Sequence, residues 1–280
     1  DRVQGTVVRG QDPCELKIKD VLMRFRRNFF CCLFILFSAA ALLPLLSGCG
    51  ADRAAQKKKA ATLADLGNAM ADEGNPRGGL QKLLEAARLD PDNGEIYQQI
   101  ALVFRSLGDY PLSLKYFRKA LELKPQFPEA TNNMGTVYLL MGDWNKAIAC
   151  FREAAADIKY ETPQYAYNNM GLAYFKMGDT QKAIENYEMA LRLSRSYAVV
   201  YLNLASLYEK KGDLKQAEAN YREAILYRPN DPQALLGLAK LLIKLDKTKE
   251  AKESLIKIIK DDPRGLEGRE ARKLLATLQN

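Results

Sequence analysis

The sequence predicts an all-α protein: a solenoid of six helix hairpins closed by a C-terminal capping helix. Three observations predict it. A glycine recurs at Gly74, Gly108, Gly142, Gly178 and Gly212, in steps of 34, 34, 36 and 34 residues, and each is followed by Asn or Asp. Small and bulky residues repeat in phase with that glycine. Within each half of the unit, apolar residues fall three and four apart, the mark of an amphipathic helix. A fixed period of this length is the signature of stacked supersecondary units.

The elements follow in chain order. Residues 1–22 are mixed and without periodicity, and we expect them to be upstream sequence preceding a start at Met23. Residues 23–48 read as a secretory leader. Arg24, Arg26 and Arg27 form a basic flank, and Phe29 to Leu46 carries no charge. A run of this length is near the minimum for a membrane-spanning helix, which is the alternative. Pro44 inside the run and the small residues that follow favour a cleaved leader. Leu46-Ser47-Gly48-Cys49 resembles a bacterial lipobox, which implies cleavage before Cys49 and lipidation of its thiol. Residues 49–59 are then expected to be a linker with an extended reach of at most about 40 Å. Lys57-Lys58-Lys59 in it is either a solvated run or a contact for anionic headgroups, worth roughly 1 kcal/mol per basic residue.

Six units fill residues 60–265: 60–93, 94–127, 128–163, 164–197, 198–231 and 232–265. Seven residues before the turn glycine stands a small residue (Gly67, Ala101, Gly135, Gly171, Ala205, Ala239). Five after it another is small (Gly79, Ser113, Ala147, Ala183, Ala217, Ala251), so the two helix axes can approach closely. Nine after it is bulky (Leu83, Phe117, Phe151, Tyr187, Tyr221, Leu255), filling the gap to the next hairpin. The glycine suits the left-handed turn that ends the first helix, and the Asn or Asp serves the turn. Pro91, Pro125, Pro229 and Pro263 end second helices. The sixth unit departs, with Asp246-Lys247 at the turn, and the third carries two extra residues near Tyr160-Glu161-Thr162-Pro163. Residues 266–280 form a further segment whose Leu274, Leu275 and Leu278 are expected to cap the last hairpin.

This pattern resembles the tetratricopeptide-repeat family across all six units. The resemblance implies a right-handed superhelix whose inner helices line a protein-binding groove. The family's groove positions are Leu102 and Arg105 in unit two, Thr136 and Leu139 in unit three, and Tyr165, Leu172 and Phe175 in unit four. Leu202 and Glu209 follow in unit five, and Leu236, Lys240 and Ile243 in unit six. Several are large and apolar, which suits a partner surface; the alternative is contact with neighbouring helices or the cap. Asn133, Asn169 and Asn203 also repeat, as structural residues. The repeated Lys and Asn arrangement of family members that clamp a C-terminal carboxylate is missing.

Composition argues against chemistry. The 280 residues contain no histidine, the commonest general base and metal ligand. No phosphate loop and no paired-cysteine metal spacing occurs. We expect no enzyme, no cofactor, no metal and no small-molecule substrate. The formal charge is +8, but basic and acidic side chains are interleaved, unlike the concentrated footprint of a nucleic-acid binder. Of the five cysteines, Cys14, Cys31 and Cys32 fall within or before the leader, and Cys49 is assigned to the anchor. Cys150 is left as a small buried residue.

Lipobox, short linker and six such units together resemble the type IV pilus pilotin family. That resemblance implies an outer-membrane lipoprotein, facing the periplasm, that assists secretin assembly and binds secretin subunits or other pilus proteins. Gly50, rather than the Asp that retains lipoproteins at the inner membrane, fits this location. The alternative is a lipoprotein adaptor for cell-wall hydrolases, synthases or other envelope complexes.

Overall fold

The computed structural model describes residues 52–278. The upstream segment, the leader and Cys49 therefore lie outside the described residues. The described residues divide between two units at 62/63. Of the first, residues 52–62 are described, and all are helical.

Among the described residues there are thirteen helices and no strand. The first, α1, covers 52–72. The rest are α2 (Pro76–Leu89), α3 (Gly94–Ser106), α4 (Tyr110–Leu123), α5 (Pro128–Leu140), α6 (Trp144–Ala156), α7 (Pro163–Met177), α8 (Thr180–Leu193), α9 (Ala198–Lys211), α10 (Leu214–Tyr227), α11 (Pro232–Lys244), α12 (Thr248–Asp261) and α13 (Leu266–Thr277). They pair as six hairpins followed by one capping helix. None is long and apolar enough to cross a membrane.

The segment assigned as a linker has a conformation the sequence reading did not specify. Residues 52–59, read as linker, are helical. The segment is rich in Ala, Lys and Arg and has no Gly or Pro, so helix propensity has nothing to stop it. Eight helical residues rise about 12 Å, less than half their extended length, which shortens the reach assigned to a tether.

The turns form as the sequence dictates. Gly74, Gly108, Gly142, Gly178 and Gly212 all have φ between +77° and +88°. The residue after each returns its N–H to the carbonyl five residues back, as in Asp109 to Phe104 at 2.9 Å and Asp213 to Tyr208 at 2.9 Å. This is the Schellman closure of a helix end. That same residue caps the next helix: Asn75, Asp109, Asp143, Asp179 and Asp213 accept from the N–H three residues on. The sixth turn keeps the backbone path with Asp246 at φ +60°, yet Lys247 makes no side-chain cap.

Close helix crossings follow from the small residues. A Cβ on Gly67 would meet the Gly79 carbonyl oxygen at 2.8 Å, and one on Gly171 the Tyr187 ring at 2.6 Å. Where Ser113 replaces alanine, its Oγ donates to the Ala101 carbonyl at 2.8 Å, so the crossing gains a bond without a gap.

The core is a file of clusters, each joining one hairpin to the next. Phe117 on α4 packs with Ala130 and Val137 of α5. Phe151 on α6 meets Ala166 and Met170 of α7, and Tyr187 on α8 meets Val200, Leu204 and Leu207 of α9. Tyr221 on α10 packs with Leu238, Leu241 and Leu242 of α11. Each large side chain buried this way contributes roughly 1.5–3 kcal/mol, and no hairpin completes its core alone. At the end, Ala271, Leu274 and Leu275 of α13, with Leu278 just past it, cover Leu235, Leu236, Leu255 and Ile258. The α6–α7 connection, 157–162, has six residues against four at 90–93, 124–127, 194–197 and 228–231, which places the two-residue insertion there. Cys150 is 7% exposed, and burial pushes its thiol up to about 11, so it stays protonated and inert.

Candidate protein-binding groove

The first helices of successive hairpins approach one another: α3 with α5, α5 with α7, α7 with α9. No comparable approach links α4, α6 and α8. The first helices therefore line the tighter, inner side of the array, and their outward turns form the groove.

Side chains tie these helices together across the floor. Arg105 Nη1 donates to Asn133 Oδ1 at 3.5 Å, joining α3 to α5. Asn169 donates to Asn132 at 3.3 Å, and Asn203 donates to Asn168 at 2.8 Å, joining α5, α7 and α9. Within α7, Asn168 donates to Asn169 at 3.3 Å. Lys244 Nζ reaches Glu209 Oε1 at 3.1 Å, joining α11 to α9. Burial lowers the pKa of the half-buried Arg105 guanidinium, which remains a cation. The sequence singled out Asn133, Asn169 and Asn203, but not their partners Asn132 and Asn168, which are 8% and 6% exposed.

The predicted groove residues divide by surroundings. Leu102, Leu139, Phe175, Leu202 and Ile243 are half-buried, each with one side on a core cluster. Leu172 is half-buried too. Thr136 spends its hydroxyl on the Asn132 carbonyl at 3.2 Å. Tyr165 is 43% exposed and sits edge-on to Tyr197 at 5.1 Å. Glu209 accepts from the Tyr221 hydroxyl at 2.8 Å as well as from Lys244. Leu236 is only 6% exposed and lies in the core beneath the cap. Lys240 is exposed and paired with Glu270 of α13 at 2.8 Å.

Two further features belong to this face. Gln98 Oε1 and Gln99 Oε1 on α3 are buried without a hydrogen-bond donor. At the other end a cleft of about 550 Å³ opens between α11 and α13, lined by Glu209, Tyr221, Leu236, Lys240 and Glu267 among others. Among the described residues no group of three or more Cys, Asp or Glu could hold a metal ion.

Stacked helix hairpins with a side-chain-lined inner face define a class of protein: an α-solenoid built to hold another polypeptide. Tetratricopeptide-repeat models match residues 127–196, 164–225 and 210–278, and a further one of the same repeat matches 101–142. With matches running from 101 to 278 of 280 residues, the chain belongs to the tetratricopeptide-repeat family. Members of this family are protein-interaction scaffolds. The fold resembles that of PilF from Pseudomonas aeruginosa, with a TM-score of 0.63 and 23% identity over 79% of this chain and 99% of that one. It also resembles PilW, described as a widely conserved type IV pilus biogenesis factor, with a TM-score of 0.66 and 22% identity over 75% and 97%. In sequence the chain is similar to the photosystem I assembly protein Ycf3 of Cyanophora paradoxa, 40% identical over 86 residues. That match takes in 27% of this chain, which spans about half the length of the curated relatives it matches.

Proposed function

We propose that the chain is a lipid-anchored envelope scaffold that binds secretin subunits, or other pilus proteins, and assists their assembly for type IV pilus biogenesis. The carrying observation is the pairing of a lipobox-like Leu46-Ser47-Gly48-Cys49 with a hairpin array that aligns with nearly the whole of PilF and PilW. PilW is described as a biogenesis factor and Ycf3 as an assembly protein, and both descriptions suit a scaffold that helps other proteins come together. A scaffold needs binding surface and no reacting groups, and the inner face offers half-buried apolar side chains held in register by asparagine hydrogen bonds. Gly50 after the anchoring cysteine supports residence at the periplasmic face of the outer membrane.

Affinity capture from detergent-solubilised envelope tests the reading. Secretin subunits should be recovered with the wild-type chain and lost with Leu172→Asp/Phe175→Asp, whose helicity should be unchanged. Recovery of peptidoglycan hydrolases without any secretin would replace this reading with that of a cell-wall adaptor. Cys49→Ala should leave an uncleaved precursor that takes up no fatty-acid label.

A further inference from the structure

We infer that the partner segment held by this groove is amphipathic in a particular order: apolar side chains against α5 and α7, then acidic side chains against α7, α9 and α11. The inference rests on the groove reading and names the chemistry of its guest. Its basis is a row of lysines on one rim. Lys176, Lys210 and Lys244 occupy the same place, two residues before the turn, in the last turns of α7, α9 and α11. All three are exposed. At that place α5 carries Leu140, which is 53% exposed, and α3 carries Ser106. The rim thus changes from uncharged at α3 and α5 to cationic at α7, α9 and α11.

Two of the three lysines are held over the floor. Lys210 Nζ lies 5.0 Å above the Phe175 ring, and Lys244 Nζ bonds Glu209. Both contacts run back to the preceding hairpin, so each of these two cations bridges two units, Lys210 beside the half-buried Phe175 and Lys244 beside Glu209. An ammonium over an aromatic face still has N–H donors directed away from the ring. Inner helices in contact lie about 8–10 Å apart, which is one turn of a polyproline II chain, three residues at about 3.1 Å each, and that turn brings every third side chain back to the same face. A guest with a carboxylate at every third residue therefore matches the row. An anionic membrane would also attract three lysines, but these sit at the lip of a concave face whose floor is apolar and hydrogen-bonded, which suits a chain better than a plane of headgroups.

The test uses the full chain in detergent and fluorescein-labelled peptides of about 15 residues. One carries a leucine pair followed by glutamates at every third position, one has the reverse order, and in matched controls lysine replaces glutamate. Anisotropy should show binding of a glutamate peptide in one of its two orders and at least tenfold weaker binding of its lysine control. Lys176→Glu/Lys210→Glu/Lys244→Glu should weaken the glutamate peptide by about tenfold or more, as three modest surface pairs would. Raising salt from 50 to 300 mM should reduce the difference between the two. Equal binding of glutamate and lysine peptides, no glutamate-peptide binding at about 1 mM, or an unchanged triple variant would each overturn the inference. So would phosphatidylglycerol vesicles that bind wild type and not the triple variant, since they would assign the row to a membrane. If Leu172→Asp/Phe175→Asp abolishes peptide binding while the lysine variant does not, the groove stands and the acidic guest falls.

Discussion

Tyr187 and Tyr221 hold the same place in successive repeats, and removing the hydroxyl from each should move stability in opposite directions. The Tyr187 ring lies against Gly171, in the space a Cβ would fill, and its hydroxyl is buried with no partner. In the next unit Ala205 stands where Gly171 does, so the Tyr221 ring swings forward to Gly237 and donates to Glu209 at 2.8 Å. Tyr187→Phe relieves an unsatisfied buried hydroxyl, which costs about 1–3 kcal/mol. The oxygen leaves a void of roughly 10 Å³, returning about 0.2 kcal/mol of that gain. A net stabilisation of about 1 kcal/mol is expected. Tyr221→Phe removes a bond to a carboxylate, worth about 1.5–3 kcal/mol. Glu209 keeps Lys244 and is 22% exposed, so water recovers part of it, and a loss of about 1 kcal/mol is expected. Urea unfolding by circular dichroism, with hydrogen exchange because repeat arrays need not unfold in one step, measures both. A loss above about 0.5 kcal/mol in Tyr187→Phe, or the same sign in both variants, would refute the packing account.

Asp246→Gly should stabilise the last hairpin by about 0.5–1 kcal/mol, because a side chain in the left-handed region is strained; an unchanged midpoint would contradict this. Ala183→Leu overpacks a fully buried crossing and should cost about 1–3 kcal/mol, visible as a lowered melting temperature. Alkaline pH should unfold the array. Burial first, then neighbouring charges, pushes Tyr197 up to about 12, and burial raises Tyr187 and Tyr221 as well. Unfolded tyrosines ionise near pH 10. Stability is therefore complete below about pH 10 and falls as pH climbs through 12, more steeply in wild type than in Tyr187→Phe. A midpoint flat from pH 9 to 12 would show that these phenols are not buried.

The turns and crossings were legible in the sequence because each is a local requirement: left-handed φ at Gly178 and its equivalents, contact distance at Gly67 and Gly171. Hairpin number and the capping role of Leu274 and Leu275 followed. The helix at 52–59 was not anticipated because position after Cys49 suggested only a tether; the alanines and the missing breakers were its signal. The inner face was harder. Periodicity marks Leu236 as equivalent to Asn132, Asn168 and Leu202, yet the cap covers it, and coverage depends on a helix outside the repeat. The pairing of Asn169 with Asn132 depends on inter-hairpin register, which is the same as that of Asn203 with Asn168 because the 157–162 connection absorbs the two-residue insertion. Lys176, Lys210 and Lys244 do recur visibly, but their meaning needs Phe175 and Glu209 beside them.

The four asparagines on α5, α7 and α9 have a mechanical consequence. Every amide in that relay points its N–H the same way, from Asn203 through Asn168 and Asn169 to Asn132. Aligned dipoles reinforce one another, so flipping one amide frustrates the next. The central three hairpins should behave as a single stiff plank, with bending left to the outer units, and a guest docking there would meet a ruler whose graduations are already set.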